Sequence, residues 1–278
     1  MRRVFGLIAP PGDQSRGPGA DVYGVRVRPL LAVLVGMLGV STLVGASTTA
    51  NAGPTACGAD LAGNGGYTYA GHQATRKGHG VRATIRATRA PEVAAGHVAG
   101  WIGLGGPGQG PNGTDMWLQV GLASMPGLGT VLYAEVTRPG RAPAFRLVEE
   151  GIQVGESRRL AVLEMSRRPE WWRVWVNGVP VTEPIHLRGS SERWAPIATA
   201  ESFSGGQVAC NRFGFRFERV SVSHGRGGSW FAFKPGYDFR DGNYRLRALA
   251  SAPAGDRLAR NLAHEGAPLP YAFLAASS

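Results

Sequence analysis

The chain has 278 residues, of which 43% are hydrophobic and 18% are charged, so it can bury one full-sized core. Its formal net charge is +11, and arginine supplies nearly all of the positive charge, because Lys77 and Lys234 are the only lysines. Such a cationic surface attracts acidic partners. No run of basic residues interleaved with aromatic residues forms a nucleic-acid platform, so a nucleic-acid partner is not expected.

The N-terminal region has the features of an export signal. Arg26 and Arg28 precede an apolar run over residues 30–44, and small residues follow as far as Ala52. This order is typical of a signal peptide cleaved before Gly53. The apolar run has about 15 residues, fewer than the ~20 needed to cross a bilayer, which disfavours a retained membrane anchor. We therefore expect a secreted protein without membrane attachment after cleavage.

The two cysteines of the chain, Cys57 and Cys210, indicate a single disulfide if the protein is exported to an oxidising compartment. Closing so long a loop stabilises a fold by up to about 5 kcal/mol in the chain-entropy model. The six histidines are scattered and show no metal-ligand spacing. We therefore expect neither a metal nor another cofactor.

Period-two alternation of hydrophobic residues recurs along the chain from residue 81 onward, interrupted by Gly, Pro and Asn. The pair Asn177-Gly178 predicts a two-residue hairpin turn, because it accepts positive φ angles. Strands without intervening helices favour an all-β fold, an antiparallel two-sheet β-sandwich of the concanavalin A-like jelly-roll type. The predicted strands are residues 81–88, 97–104, 116–122, 130–137, 144–149, 159–165, 171–176, 179–187, 196–202 and 211–223.

The chain divides into three predicted parts. Residues 1–52 form the signal peptide with an over-long N-region, which suggests a start codon placed too far upstream. Residues 53–224 form the β-sandwich domain. Residues 225–278 are rich in Gly and Arg and are predicted to be a tail that adds one strand or is partly disordered. Within this tail, the spacing of Leu258 and Leu262 allows a short helix over residues 254–264.

Side chains two residues apart on a strand share one face, so the alternation sorts polar from aliphatic groups. The face opposite the aliphatic residues is unusually aromatic and polar for a solvated sheet surface, which predicts a ligand groove. An alternative is that these residues lie under a covering loop or at a subunit contact. The collected face consists of Trp117, Gln119, Tyr133, Glu135, Trp171, Arg173, Trp175 and Glu201.

Five short strings follow one another along residues 67–222. They are WIGLGG (101–106), WLQVG (117–121), YAE (133–135), VGE (154–156) and ATAE (198–201). In order and approximate spacing, they resemble the glutamic peptidases (eqolisins). The resemblance implies a concanavalin-like β-sandwich and acid-pH peptide hydrolysis by a glutamine and a glutamate without a cofactor. Gln119 matches the glutamine position. In the first string, Leu104-Gly105 stands where the family has an acidic residue.

The glutamate position of this family leaves two alternatives. Its motif carries two glutamates in a string resembling Ala-Glu-Trp-Ile-Val-Glu, and residues 196–201, PIATAE, supply the second. Glu201 is therefore either the catalytic base or a structural companion in a non-catalytic relative. In the active case, ionised Glu201 takes a proton from water, the amide of Gln119 stabilises the oxyanion, and Glu135 is a supporting carboxylate.

Three functions remain open on the sequence alone. The first is an acid-type peptide hydrolase with Gln119 and Glu201 as its dyad. The second is a non-catalytic carbohydrate-binding protein, in which Trp117, Trp171 and Trp175 stack on sugar rings. The third is a glycosidase with Glu135 and Glu201 as paired carboxylates, which requires a separation of ~5–9.5 Å. In each case we expect a monomer whose partner is an extracellular polypeptide or polysaccharide.

Overall fold

The computed structural model describes residues 66–203, 210–241, 244–249 and 271–277. The predicted signal peptide, Cys57 and the possible helix over residues 254–264 lie outside these ranges, so they stay predictions. Within the described ranges, the helical structure is limited to a short 3-10 helix over Pro111–Gly113. No helix in the described part of the chain is long and apolar enough to cross a membrane.

Sixteen strands follow one another through the described residues. They are β1 Tyr67–Ala74, β2 Gly80–Ala87, β3 His97–Gly106, β4 Met116–Met125, β5 Gly129–Thr137, β6 Ala144–Glu149, β7 Ser157–Glu164, β8 Trp171–Val176, β9 Val179–Pro180, β10 Ile185–His186, β11 Ile197–Phe203, β12 Gly214–Ser223, β13 Trp230–Ala232, β14 Pro235–Arg240, β15 Arg245–Ala248 and β16 Tyr271–Ala276.

These strands form two antiparallel sheets. Sheet A has the strand order β14-β1-β11-β3-β4-β5-β6. Sheet B has the order β10-β8-β7-β2-β12-β16-β15, with β9 added beside β8 and β13 beside β12. The predicted all-β, antiparallel two-sheet sandwich is confirmed.

The hydrophobic core lies between the inner faces of the two sheets. Sheet A contributes Ile102, Leu118 and Leu122, while sheet B contributes Trp172 and Phe217, all of them fully or almost fully buried. The alternation that predicted strands therefore also sorts the inner from the outer residues of each strand. Every strand near the centre of a sheet consequently presents a second set of side chains on an outer face.

The hairpin predicted at Asn177-Gly178 is confirmed. These residues connect β8 to β9 with φ angles of 52° and 89°, which is the left-handed region that a two-residue hairpin turn requires. The strand predicted over residues 179–187 is divided into the short strands β9 and β10.

The C-terminal region contributes more than the single strand that was predicted for it. It contains β13, β14, β15 and β16, and β16 pairs with β12 in the interior of sheet B. Phe273 of β16 is fully buried and stacks on Phe217 with 4.4 Å between ring centroids. This region is therefore part of the sandwich.

Asn211 fixes the ends of β11 and β3, where Glu201 and His97 lie. Its side chain is completely buried. The amide oxygen accepts hydrogen bonds from the backbone N–H groups of Ala94 and Ala95, and the amide nitrogen donates to Ser202 Oγ at 2.9 Å. A fully satisfied buried amide of this kind holds the two strand ends in one geometry.

Candidate functional site

Polar side chains gather on the outer face of sheet A, on its neighbouring strands β11, β3, β4 and β5. The cross-strand register aligns Ile197, Gly103, Gln119 and Glu135 in one row. The next row consists of Thr199, Trp101, Gly121 and Tyr133, and the third begins with Glu201. We call the surface formed by Tyr67, Trp101, Trp117, Gln119, Tyr133, Glu135 and Glu201 the acidic face.

Two glycines explain how large side chains fit in these rows. A Cβ atom on Gly103 would lie 2.8 Å from the Cβ of Gln119, and one on Gly121 would lie 2.5 Å from the Cβ of Trp101. Both distances are shorter than side chains tolerate, so each glycine leaves space for the neighbouring side chain. The strings WIGLGG and WLQVG therefore have a packing reason for their glycines.

Gln119 and Glu135 are direct neighbours across strands β4 and β5. Directly opposed residues of an antiparallel pair have Cβ atoms about 5 Å apart. Gln119 Nε2 donates a hydrogen bond to the hydroxyl of Tyr133 at 3.2 Å, and Trp117 Nε1 donates to Glu135 Oε1 at 2.8 Å. The face thus places an oriented amide beside an oriented carboxyl group.

Glu201 occupies a different part of the same face. Trp101 Nε1 donates a hydrogen bond to its Oε2 at 2.8 Å, and His97 Nε2 lies 3.3 Å from its Oε1. Glu201 and Gln119 lie two strands and four residues apart in the register. Standard strand spacings then separate their Cα atoms by about 16 Å. In the register, Glu135 is directly opposite Gln119, whereas Glu201 lies two strands away.

The residue aligned with Gln119 on the other side of Gly103 is Ile197. In the string over residues 196–201, Ile197 stands where the two-glutamate motif has its first glutamate, and Glu201 stands where it has the second. In the register, an aliphatic side chain therefore lies in line with Gln119, and Glu201 lies four residues further along β11.

The negative charges of Glu135 and Glu201 affect the pKa values of neighbouring groups on the acidic face. Burial raises the pKa of Glu135, the negative charge of Glu201 raises it further, and the hydrogen bond from Trp117 opposes these effects. Burial also raises the pKa of Tyr133 and of Tyr67, and the charges of Glu201 and Glu135 add to it. The acidic face is therefore a largely desolvated, electronegative surface.

Three residues predicted for this surface lie elsewhere. Trp171, Arg173 and Trp175 alternate with buried residues as predicted, but their strand, β8, belongs to sheet B. The prediction that they share a face with Gln119 is wrong. Period-two alternation distinguishes the two sides of one strand, but a sandwich has an outer face on each of its sheets.

Four residues of the region were not predicted. His97 and Trp101 share a side of β3 with each other, and the alternation of that strand was the available signal. Tyr67 and Tyr69 lie on β1, which precedes the first predicted strand and pairs with β11. Among the described residues, no three His, Cys, Asp or Glu side chains are grouped as a metal site requires.

The other predicted site residues are only partly described. Cys210 is described, but Cys57 lies outside the described ranges, so the disulfide stays a prediction.

Phe145 extends the acidic face at β6, where its ring stacks on Tyr133 with 5.1 Å between centroids. Phe145 is 45% exposed, so the aromatic surface reaches solvent at this edge.

No protein-family model and no curated protein matches the chain. Solved structures that resemble it include scytalido-glutamic peptidase with a peptide-based transition-state analogue, at 12% identity over 76% of this chain and 97% of that chain, with a TM-score of 0.47. SCP-B, an eqolisin peptidase in complex with the tripeptide Ala-Ile-His, shows the same identity and coverages with a TM-score of 0.41. A carbohydrate-binding module from Bacillus subtilis has 12% identity over 49% of this chain and 77% of its own, with a TM-score of 0.29. None of these TM-scores reaches 0.5.

Proposed function

We propose that this chain is an acid-active hydrolase in which Gln119 and Glu135 are the catalytic residues and a polypeptide is the substrate. The observation that carries this proposal is the direct cross-strand pairing of the two side chains on the acidic face. The five strings that resemble glutamic peptidases support the choice of a peptide bond.

Each side chain has a defined role in the proposed reaction. Ionised Glu135 takes a proton from a water molecule as that water attacks the peptide carbonyl carbon. Gln119 Nε2 donates a hydrogen bond to the oxyanion that forms. Trp117 Nε1 occupies Oε1 of Glu135 and so orients the carboxylate, leaving Oε2 for the water. The hydroxyl of Tyr133 holds the amide of Gln119 before substrate binds.

Glu201 acts at a distance in this scheme. Its charge raises the pKa of Glu135, which delays ionisation of the base to a higher pH. The hydrogen bond from Trp101 keeps this charge in place. Glu201 is therefore a positioning residue that sets the pH range of the reaction.

Cleavage of an unfolded protein substrate, followed by mass spectrometry across acidic pH, tests the proposal. We expect Glu135→Gln and Gln119→Ala each to lower kcat by about 100-fold or more. Glu201→Gln is expected to move the rising limb of the pH profile to lower pH, because the pKa of Glu135 falls when the neighbouring charge is removed. The exposed Glu150→Gln provides the matched control and should leave both quantities unchanged.

Absence of cleavage by the wild-type protein at every acidic pH would refute the hydrolase. Full activity in Glu135→Gln would refute the assignment of Glu135, and loss of activity in Glu201→Gln without a shifted profile would make Glu201 the base instead.

The aliphatic Ile197, aligned with Gln119 across Gly103, favours a second candidate, which is carbohydrate binding without catalysis on the same face. The exposed ring of Phe145, which stacks on the buried ring of Tyr133, offers a flat aromatic surface to a sugar ring. A glycan array with wild-type protein and Phe145→Ala tests this candidate, which requires binding that weakens in the variant. Glu135 and Glu201 are three strands and four residues apart in the register. The paired-carboxylate glycosidase depends on the separation of the carboxyl groups and stays a prediction.

A further inference from the structure

The outer face of sheet B carries arginine and tryptophan side chains at the centre of the sheet. Trp175 of β8, Ala161 of β7 and Arg82 of β2 lie in one cross-strand row. Arg159 lies two residues from Ala161 on the same side of β7. We call the surface formed by Arg82, Arg159, Ala161, Arg173, Trp175 and Trp230 the cationic face.

The positive charge of this face is not balanced by carboxylates. Among the described residues, no carboxylate forms an ion pair with Arg82, Arg159 or Arg173. Glu218 also lies on this side of the sheet, and it forms ion pairs with two other arginines. Its Oε1 lies 3.7 Å from Arg86 Nη2 and 2.8 Å from Arg216 Nε. The centre of the face therefore lacks a counter-charge.

Mutual repulsion of the arginines is visible at Arg82. Burial lowers the pKa of its guanidinium, and the charges of Arg159 and Arg219 lower it further. The guanidinium of Arg82 lies over the ring of Trp230, 4.6 Å from its centroid, which holds the cation at the surface in a fixed position. An arriving anion would find these charges already oriented.

The same face offers aromatic surface. Trp175 and Trp230 are each partly exposed on this side of the sheet. Trp175 Nε1 and Arg173 Nε are buried and have no hydrogen-bond partner among the described residues. Ala161 is small and lies between Trp175 and Arg82 in the row, so two strand spacings, about 10 Å, separate the backbones of these two residues. The flat indole ring of Trp175 is suited to stacking against a sugar ring.

We propose that the cationic face binds an acidic polysaccharide, with its carboxylate groups on Arg82 and Arg159 and a sugar ring against Trp175. The planar guanidinium group matches a carboxylate with two parallel hydrogen bonds. A nucleic acid is less suited, because single-stranded chains bind successive aromatic residues along a basic groove, and Trp175 and Trp230 lie at opposite sides of the face. This site is separate from the acidic face, since the two surfaces lie on opposite sides of the sandwich.

Polygalacturonate and its fully methyl-esterified form provide a matched pair of probes, because they share a backbone and differ in charge. Binding is measured by isothermal titration calorimetry at neutral pH. We expect the wild-type protein to bind the acidic form and to bind the ester at least tenfold more weakly. The double variant Arg82→Glu/Arg159→Glu should weaken binding of the acidic form at least tenfold, and Trp175→Ala several-fold.

A control with the same change of charge is Arg138→Glu/Arg141→Glu, at exposed positions between β5 and β6. It should leave the affinity within about twofold. Thermal unfolding verifies that each variant is folded, and Arg82→Gln/Arg159→Gln replaces the charge-reversed pair if that pair is not.

Three results would overturn the proposal. The first is equal affinity for the acidic and esterified forms. The second is an equal loss of affinity in the control variant, which would indicate attraction by net charge alone. The third is binding of single-stranded DNA as tight as that of polygalacturonate and independent of Trp175, which would identify a general polyanion surface. None of these measurements depends on enzymatic activity at the acidic face. The proposed hydrolase activity can therefore be refuted without changing the result of the binding experiment.

Discussion

Tryptophan indole groups meet different partners on the two outer faces of the sandwich. On sheet A, the N–H groups of Trp101 and Trp117 each donate to a carboxylate, that of Glu201 or Glu135. On sheet B, the buried N–H group of Trp175 has no acceptor among the described residues. The same alternation of residues thus builds one face whose indole N–H groups meet carboxylates and one on which an indole N–H group is buried without a partner.

Burial explains why the carboxylates of sheet A have donors from the protein. Glu201 is only 5% exposed, and a buried carboxylate without hydrogen bonds would destabilise the fold, so its donors must come from the protein. Arg82 and Arg159 are exposed, and water satisfies their charges until a ligand replaces it. The two proposals follow this difference: a reaction within a desolvated site on the acidic face, and association with a charged chain on the cationic face.

Removing one indole N–H group from each face gives the largest expected contrast in stability. Trp101→Phe leaves a buried oxygen of Glu201 without its donor, which should lower the free energy of unfolding by about 2 kcal/mol. Trp175→Phe removes a donor that has no partner, so we expect a change within about 0.5 kcal/mol. Urea denaturation at neutral pH measures both. Equal losses in the two variants would show that ring packing, not the hydrogen bond, determines the effect.

The pH dependence of stability separates the faces further. Burial raises the pKa of folded Glu135 above its unfolded value of 4.5, so the folded state binds the proton more tightly. The wild-type protein therefore loses stability as pH rises from about 4.5 through the raised pKa. Glu135→Gln should raise the melting temperature at about pH 7 and have little effect at about pH 4.

Exposed Glu150→Gln is the control for this measurement and should show no such difference between the two pH values. A gain in Glu135→Gln that is as large at pH 4 as at pH 7 would mean that the glutamine packs better than the carboxyl group, whatever its charge.

Local pattern was sufficient to predict which side chains share a side of one strand. Trp117 with Gln119, and Tyr133 with Glu135, lie on the outer side of their strands as the alternation indicates, because the period of two is a property of the strand itself. Asn177-Gly178 was equally predictable, since the turn depends on the φ preferences of two adjacent residues.

Pairing between distant strands was not predictable in the same way. The alternation of Trp171, Arg173 and Trp175 gives no information on which sheet contains β8, because either sheet would bury the same residues. For the same reason, the pairing of Gln119 with Glu135 instead of Glu201 depends on strand order and register. The buried position of Phe273 was hidden in a region whose Gly and Arg content resembles a tail.

The smallest expected effect is the dependence of folding stability on salt concentration, which tests the cationic face. Repulsion among Arg82, Arg159 and Arg219 destabilises the folded protein, and salt screens it. Between about 0.01 M and 1 M ionic strength, the wild-type protein should therefore gain about 0.3 kcal/mol more stability than Arg82→Gln. Exposed Arg141→Gln should respond to salt as the wild-type protein does. If Arg82→Gln also responds like the wild type, Arg82 and Arg159 are too well hydrated for repulsion between them to destabilise the fold.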